Sequence, residues 1–224
     1  ISIGAQSFND KILNYLGRNY NSETLHRAIK KALKYFENIN IDIMFAINNQ
    51  TLHDIKDDLK TAVDYGIKHI AVYNLEITEK SYFGWLKKNK LYKEISDTKF
   101  EKQYLFINKY LINKGYNHYE ISTYSKSGFE SRHNLGYWLN EEYIGIGASA
   151  YSYINGKRFW NLKFPADYIN AILSTNNAIS GSEQLSEIEK IGEQIMLNLH
   201  LDTGANFEEL QYKLTNLNNP FLLF

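Results

Sequence analysis

The sequence predicts an α/β fold in which parallel strands alternate with helices, as part of a (β/α) barrel or as a smaller sheet. Three observations predict it. Three strand patterns, opening at Ile1, Ile39 and His69, are each followed by residues with helical periodicity. The intervening helices are long enough to cross over a sheet, which parallel pairing requires. Hydrophobic residues make up 44% of the 224, enough for a packed core. A complete eight-stranded barrel takes roughly 250 residues, so three clear units make only part of one.

Ile1 to Ser7 alternates and then stops at polar residues, as a strand with a working end does. A short helix is expected from Asn9 to Leu16. A longer one starts at Ser22, a plausible N-cap, with Leu25, Ile29, Ala32, Leu33 and Phe36 on one face. Ile39 to Phe45 is the second strand and carries Asp42 in its middle. Thr51 and Asp54 have the spacing of a capping box, followed by Leu52, Ile55, Leu59, Ala62 and Val63 on one face and ended by Gly66. The third strand runs from His69 to Ile77, and a helix from Thr98 to Asn113 stops at Gly115. Beyond Gly115 the pattern shortens. Strands are expected at Asn117–Ser122, Tyr143–Ile146, Ala150–Ile154 and Arg158–Trp160. Helices follow at Pro165–Leu173, from a capping box at Ser186 through Leu201, and at Phe207–Leu214. The Asn, Ser and Gly cluster from Asn176 to Gln184 reads as a boundary. Residues 1–176 are expected to form the partial barrel with the short-strand region, and 185–224 the start of a helical domain.

Composition removes several functions. Lys and Arg number 25 against 25 Asp and Glu, so no global charge draws the chain to nucleic acid or anionic lipid. The longest apolar runs, such as Phe221 to Phe224, are too short to span a bilayer. The absence of cysteine excludes disulfides, thiolate zinc sites and an iron–sulfur cluster ligated by this chain, and it fits a cytoplasmic location. The first residue is Ile1 and the last six, Asn219 to Phe224, end on apolar side chains, so both ends are expected to be internal to a longer chain.

In either α/β architecture the working residues sit at the C-terminal ends of strands. Those ends here carry Gln6, Asp42 to Ala46, and Asn74 to Thr78. A carboxylate inside an apolar strand is costly unless paired. Asp42 therefore either accepts from a polar ligand or is satisfied by a neighbouring strand, and spacing alone favours the second. Gln6 reads as a ligand contact or a loop residue, and Arg18 as a carboxylate clamp or a surface ion pair. The stretch Arg132-His133-Asn134-Leu135-Gly136-Tyr137-Trp138 joins an imidazole, an amide, a phenol and an indole. His or Tyr can ligate haem iron, but a surface histidine beside packed aromatics is the alternative. Gly145 to Ala150 lacks the spacing of a pyrophosphate loop. His26, His53, His69, His118 and His200 show no metal spacing and are assigned to surfaces or satisfied core positions.

Taken as an ordered set, the segments resemble a known family. Ile1 to Phe8, Leu16-Gly17-Arg18, Asn40 to Met44, Gly115 to Ser122, His133 to Trp138 and Tyr143 to Ala148 follow the order and spacing of certain radical S-adenosylmethionine proteins. These are relatives of oxygen-independent coproporphyrinogen III oxidase, and the closest likeness is to the HemW-type haem chaperones. The Tyr119-Glu120-Ile121-Ser122 and His133-Asn134-x-x-Tyr137-Trp138 segments favour the chaperone type.

The resemblance implies the later strands of a partial radical-SAM barrel, followed by the beginning of a small C-terminal helical domain. It implies S-adenosylmethionine contacts at Gln6, Arg18 and Asp42, and haem contacts at His133, Tyr137 and Trp138. It implies haem or porphyrin and a haem-acceptor protein as partners, and a [4Fe–4S] cluster in the intact protein only. The alternatives are the oxidase itself or a degenerate copy without cofactors. The sequence departs from the family at Ala46-Ile47-Asn48, which replaces Gly-Leu-Pro, at Glu79-Lys80-Ser81-Tyr82, and at Tyr151. The cluster-binding cysteine segment is absent, so this chain alone is expected to be inactive.

Overall fold

The structure is a computed structural model and describes residues 1–216. The expectation for Asn219 to Phe224 lies outside the described residues. The chain divides into two compact units, Ile1–Glu130 and Ser131–Phe224.

The first unit runs β1 (Ser2–Gln6), α1 (Asp10–Tyr15), α2 (Ser22–Ala32), β2 (Asn40–Phe45), α3 (Leu52–Asp64), β3 (His69–Asn74), α4 (Tyr82–Lys88), α5 (Asp97–Asn113), β4 (Asn117–Glu120) and β5 (Thr123–Ser125). Its sheet has the order β1-β2-β3-β5-β4. β1, β2 and β3 are parallel, as the alternation with helices requires. The period of two along β2 assigns the faces. Ile41, Ile43 and Phe45 enter a core with Ile70 and Val72 of β3. Leu25 and Ile29 of α2, Ile55, Leu59 and Ala62 of α3, and Ile107 and Leu111 of α5 complete it. Each fully buried side chain of this size contributes about 1.5–3 kcal/mol. The intervening Asn40, Asp42 and Met44 face the other way. Register sets Ser2, Asn40 and His69 in one row and Gly4, Asp42 and Ala71 in the next. One face is therefore apolar and covered by helices, and the other carries polar side chains.

The second unit holds α6 (Arg132–Trp138), β6 (Tyr151–Ile154), β7 (Lys157–Asn161), α7 (Pro165–Thr175), β8 (Ile179–Gln184), α8 (Glu187–Asn198) and α9 (Phe207–Asn216). β6, β7 and β8 form an antiparallel sheet. The β6–β7 turn is Asn155-Gly156, both at positive φ, the hairpin geometry these residue types favour. Arg158 of β7 donates to Glu183 and Glu193 at 2.8 and 2.6 Å, which ties β8 and α8 to the sheet.

Several local expectations change. Asn21, not Ser22, caps α2 and accepts from the Thr24 N–H. The third strand ends at Asn74 rather than Ile77. The expected strand 117–122 stops at Glu120 and turns back as β5, which inserts between β3 and β4 and runs antiparallel to both. Tyr143–Ile146 makes only a bridge between Tyr143 and Tyr153. The segment 176–184 contains β8, a polar edge strand whose pairing with β7 overrides its weak sequence signal. Both capping boxes, at Thr51 and Ser186, form.

Candidate functional site

The end of β1 is a strained turn. Gln6 has φ of 64°, and the Ser7 N–H donates to the Ala5 carbonyl at 2.8 Å, closing a three-residue turn about Gln6. Non-glycine residues at such angles persist where the surroundings over-determine them. Here the restraint is Asp58 of α3, fully buried. It accepts from the Ser7 hydroxyl at 2.8 Å and the Phe8 N–H at 2.6 Å. Burial pushes the Asp58 carboxyl up to about 7, against the pull of those two hydrogen bonds. The turn folds the Gln6 side chain back over β1. Gly4 makes room for it, because a Cβ there would come 2.8 Å from Gln6 Nε2.

Tyr73 of β3 links the expected residues. Its hydroxyl donates to Gln6 Oε1 at 3.0 Å, and Asp42, Arg18 and Tyr20 all lie close enough to act on it electrostatically. Burial raises its pKa. Tyr20 donates to the Gly4 carbonyl at 2.8 Å. Gln6 closes the C-terminal end of β1, whereas Asp42 lies mid-strand in β2 opposite Gly4 and Ala71, and Arg18 is an exposed residue after α1. Asp42 is half-buried, and its Oδ1 accepts from Ser2 Oγ at 3.2 Å and from Asn40 Nδ2. Beyond them, Met44, Tyr73, Asn74, Glu76 and Ser122 line an open cavity of about 550 Å³.

Ala46, where the family has glycine, has φ of 60°. Two buried glutamines hold it. Gln103 accepts from the Ala46 N–H at 3.1 Å and donates to the Gln50 carbonyl at 3.3 Å, and Gln50 donates to the Met44 carbonyl at 3.0 Å.

In the second unit, His133 and Tyr137 share one face of α6. Their rings meet edge to face at 4.8 Å, and Tyr137 meets Tyr143 the same way at 4.8 Å. His133 is exposed, and among the described residues nothing hydrogen-bonds its ring nitrogens. Arg132, His133, Gly136, Tyr137, Glu141, Glu142 and Tyr143 line a cavity of about 180 Å³. Trp138 points elsewhere. Its indole stacks on His200 at 4.2 Å and 5°, and its carbonyl accepts from Asn198 Nδ2 at 2.8 Å. The structure brings His133 and Tyr137 together and sends Trp138 to the packed side of the same helix.

These residues can be weighed against the implied groups. The first cluster offers a carboxylate with a spare oxygen, a guanidinium, an amide and a phenol, a donor set that suits a polar zwitterion such as S-adenosylmethionine. His133 offers an exposed imidazole without a hydrogen-bond partner among the described residues, a side chain chemically able to ligate haem iron. No residue suits an iron–sulfur cluster, because the chain has no cysteine. Among the described residues no group of three His, Asp or Glu side chains could hold a metal ion. None of their helices is long and apolar enough to cross a membrane.

Sequence reasoning missed Tyr73, Asp58 and Asn40. It also left His69 unassigned beyond a satisfied core position, which is what His69 occupies.

No family model matches the chain. Its sequence is similar to curated haem chaperones named HemW. It is 35% identical over 214 residues to the one from Lactococcus lactis, covering 95% of this chain and 56% of that protein. It is 31% identical to that of Bacillus subtilis, over 92% of this chain and 55% of that protein. The Synechocystis protein is 32% identical, over 93% and 52%. Among solved structures, the Escherichia coli coproporphyrinogen III oxidase HemN, described as a radical SAM enzyme, matches with a TM-score of 0.71. The match covers 95% of this chain and 52% of that one at 18% identity, a likeness of fold. The chain spans about half the length of the curated relatives it matches. By sequence along nearly its whole length, the chain is similar to about half of the HemW haem chaperones, and its fold is like that of about half of the HemN structure.

Proposed function

We propose that the chain is the ligand-facing half of a haem chaperone that binds S-adenosylmethionine and haem and passes haem to an acceptor protein. The observation that supports this reading is Tyr73, which hydrogen-bonds Gln6 and lies within electrostatic reach of Arg18 and Asp42. In this reading Arg18 would hold the carboxylate of S-adenosylmethionine, Asp42 would accept from its hydroxyls, and Gln6 would donate and accept through its amide. Bound to a [4Fe–4S] cluster, that cofactor supplies radical chemistry. The thiolates for the cluster are not in this chain, so the chain alone performs none.

For haem, His133 would offer its imidazole to the iron, and Tyr137, packed against it, would supply an aromatic contact. Trp138 contributes from behind by anchoring α6 through His200. We further propose that residues 1–176 make up the partial barrel with its short-strand extension, that 185–224 begin a helical domain, and that the protein works in the cytoplasm without nucleic acid.

Haem titration tests the reading. Wild-type chain is expected to bind one haem with a shifted Soret band, and His133→Ala to weaken binding about tenfold or more, the loss of an axial ligand. Equal binding by His133→Ala would place haem elsewhere and overturn the assignment.

A further inference from the structure

The polar face of the first sheet carries a hydrogen-bond chain that the proposed ligand contacts do not use. Within it, the Tyr119 hydroxyl of β4 lies 2.7 Å from His69 Nε2. His69 Nδ1 lies 2.7 Å from Asn40 Oδ1. Asn40 Nδ2 donates to Asp42 Oδ1 and, at 2.7 Å, to Ser2 Oγ, which itself donates to Asp42 Oδ1 at 3.2 Å. The chain takes residues from β4, β3, β2 and β1, and His69 and Tyr119 are both buried.

One proton arrangement satisfies every member. Both hydrogens of the Asn40 amide nitrogen are spent on Asp42 and Ser2, so its oxygen must accept. His69 Nδ1 then carries the hydrogen. Burial holds the His69 ring neutral at ordinary pH, lowering its pKa to about 4. Nε2 is therefore a lone pair, and it accepts from Tyr119. Every donor points toward the carboxylate. Such chains polarise in sequence, each bond strengthening the next. Asp42 Oδ1 is saturated, whereas Oδ2 has no partner among the described residues.

We propose that Asn40, His69 and Tyr119 are positioning residues: they form a one-way hydrogen-bond chain that locks the Asp42 carboxylate, with Oδ1 spent and Oδ2 presented to a ligand hydroxyl. The ligand half of this statement rests on the reading of Asp42 as an S-adenosylmethionine contact, and the locking half does not. The chain also accounts for a histidine in a strand with no metal partner. An apolar residue at position 69 would leave the Asn40 oxygen without its donor.

Nuclear magnetic resonance on the 224-residue chain tests both halves. With ¹⁵N-labelled histidine, His69 is expected in the Nδ1–H form at neutral pH. The Nε2–H form or an imidazolium would overturn the direction of the chain. Tyr119→Phe is expected to move the Nε2 resonance toward that of an unbonded ring nitrogen without changing the tautomer. This variant removes one hydroxyl and keeps the test open should a larger change fail to fold. The Hα–Hβ couplings of Asp42 are expected to report one χ1 rotamer in wild type and averaging in His69→Phe. His69→Asn is expected to restore the single rotamer, because its amide can donate from near the Nδ1 position. Unchanged couplings in His69→Phe would overturn the locking role. Titrated S-adenosylmethionine is expected to bind His69→Phe about tenfold more weakly than wild type, the effect of losing one hydrogen bond to a charged group, with recovery in His69→Asn. Equal affinity with averaged couplings would overturn the ligand half alone. If wild type binds none of it, the proposed function fails, and the couplings still decide the chain.

Discussion

Asp58 is a buried carboxyl that stands directly behind the Gln6 turn. Its carboxyl is raised to about 7 from 3.8, chiefly by burial, with Asp54 and Asp57 on the same helix adding to the rise. The folded protein therefore holds a proton that the unfolded chain releases near pH 4. Stability from this group is complete below the unfolded pKa and declines as pH rises toward 7. The size of that decline is on the order of a few kcal/mol. Asp58→Asn mimics the protonated form, keeping an acceptor for the Phe8 N–H. It is expected to flatten the pH dependence of the urea midpoint between pH 4 and 7 and to be more stable than wild type at pH 8. Asp58→Ala leaves the Ser7 hydroxyl and the Phe8 N–H unpaired and is expected to cost about 1–3 kcal/mol throughout. The same slope in Asp58→Asn as in wild type would remove Asp58 as its source. None of this was legible in the sequence, where Asp58 is one acid among several on an amphipathic helix. Gln6 was legible as a polar residue where a strand pattern stops, and Asp42 as a carboxylate inside an apolar strand. Tyr73 was hidden by its ordinariness as a strand aromatic, and the route from Asp42 to His69 needed the β2–β3 register.

At the scale of elements, the loop after β2 shows how a departure from the family is accommodated. Ala46 adopts the left-handed region, where a side chain costs roughly 1–2 kcal/mol. Gln103 of α5 and Gln50 hold it by satisfying the backbone around it. Ala46→Gly is expected to raise stability by about 1 kcal/mol, and Gln103→Ala to lower it by about 1–3 kcal/mol by leaving the buried Ala46 N–H unpaired. Thermal melts of the two variants check this, and opposite signs would contradict it. The regular elements were legible where two signals agreed. In α3 a capping box, an apolar face and a terminal Gly66 all mark the same helix. β5 was not legible, because a three-residue Thr-Tyr-Ser strand has no period to read and owes its existence to partners on both sides. β8 was read as a boundary for the same reason, since its six residues show no alternation and only their register with β7 makes them a strand.

On the scale of the whole molecule, β1 closes one edge of the five-stranded sheet without a neighbour among the described residues. An unpaired edge is a template for another chain. The chain in isolation is expected to self-associate with rising concentration in sedimentation velocity, and a single monomeric species with a cooperative melt would contradict that. The parallel core was readable from strand–helix alternation, and the likeness to the HemW proteins from ordered motifs. The placement of Trp138 apart from His133 and Tyr137 was not, because a seven-residue helix sends neighbouring positions to different faces. The central claim is the proposed grouping of Gln6, Arg18 and Asp42 around Tyr73 as one S-adenosylmethionine site. The most direct measurement is a residue-resolved ¹H–¹⁵N titration of the chain with millimolar S-adenosylmethionine. The account predicts concerted, saturable shifts at Gln6, its side-chain amide, Arg18, Asp42 and Tyr73. Shifts confined to other residues, or none at these five signals, would contradict it.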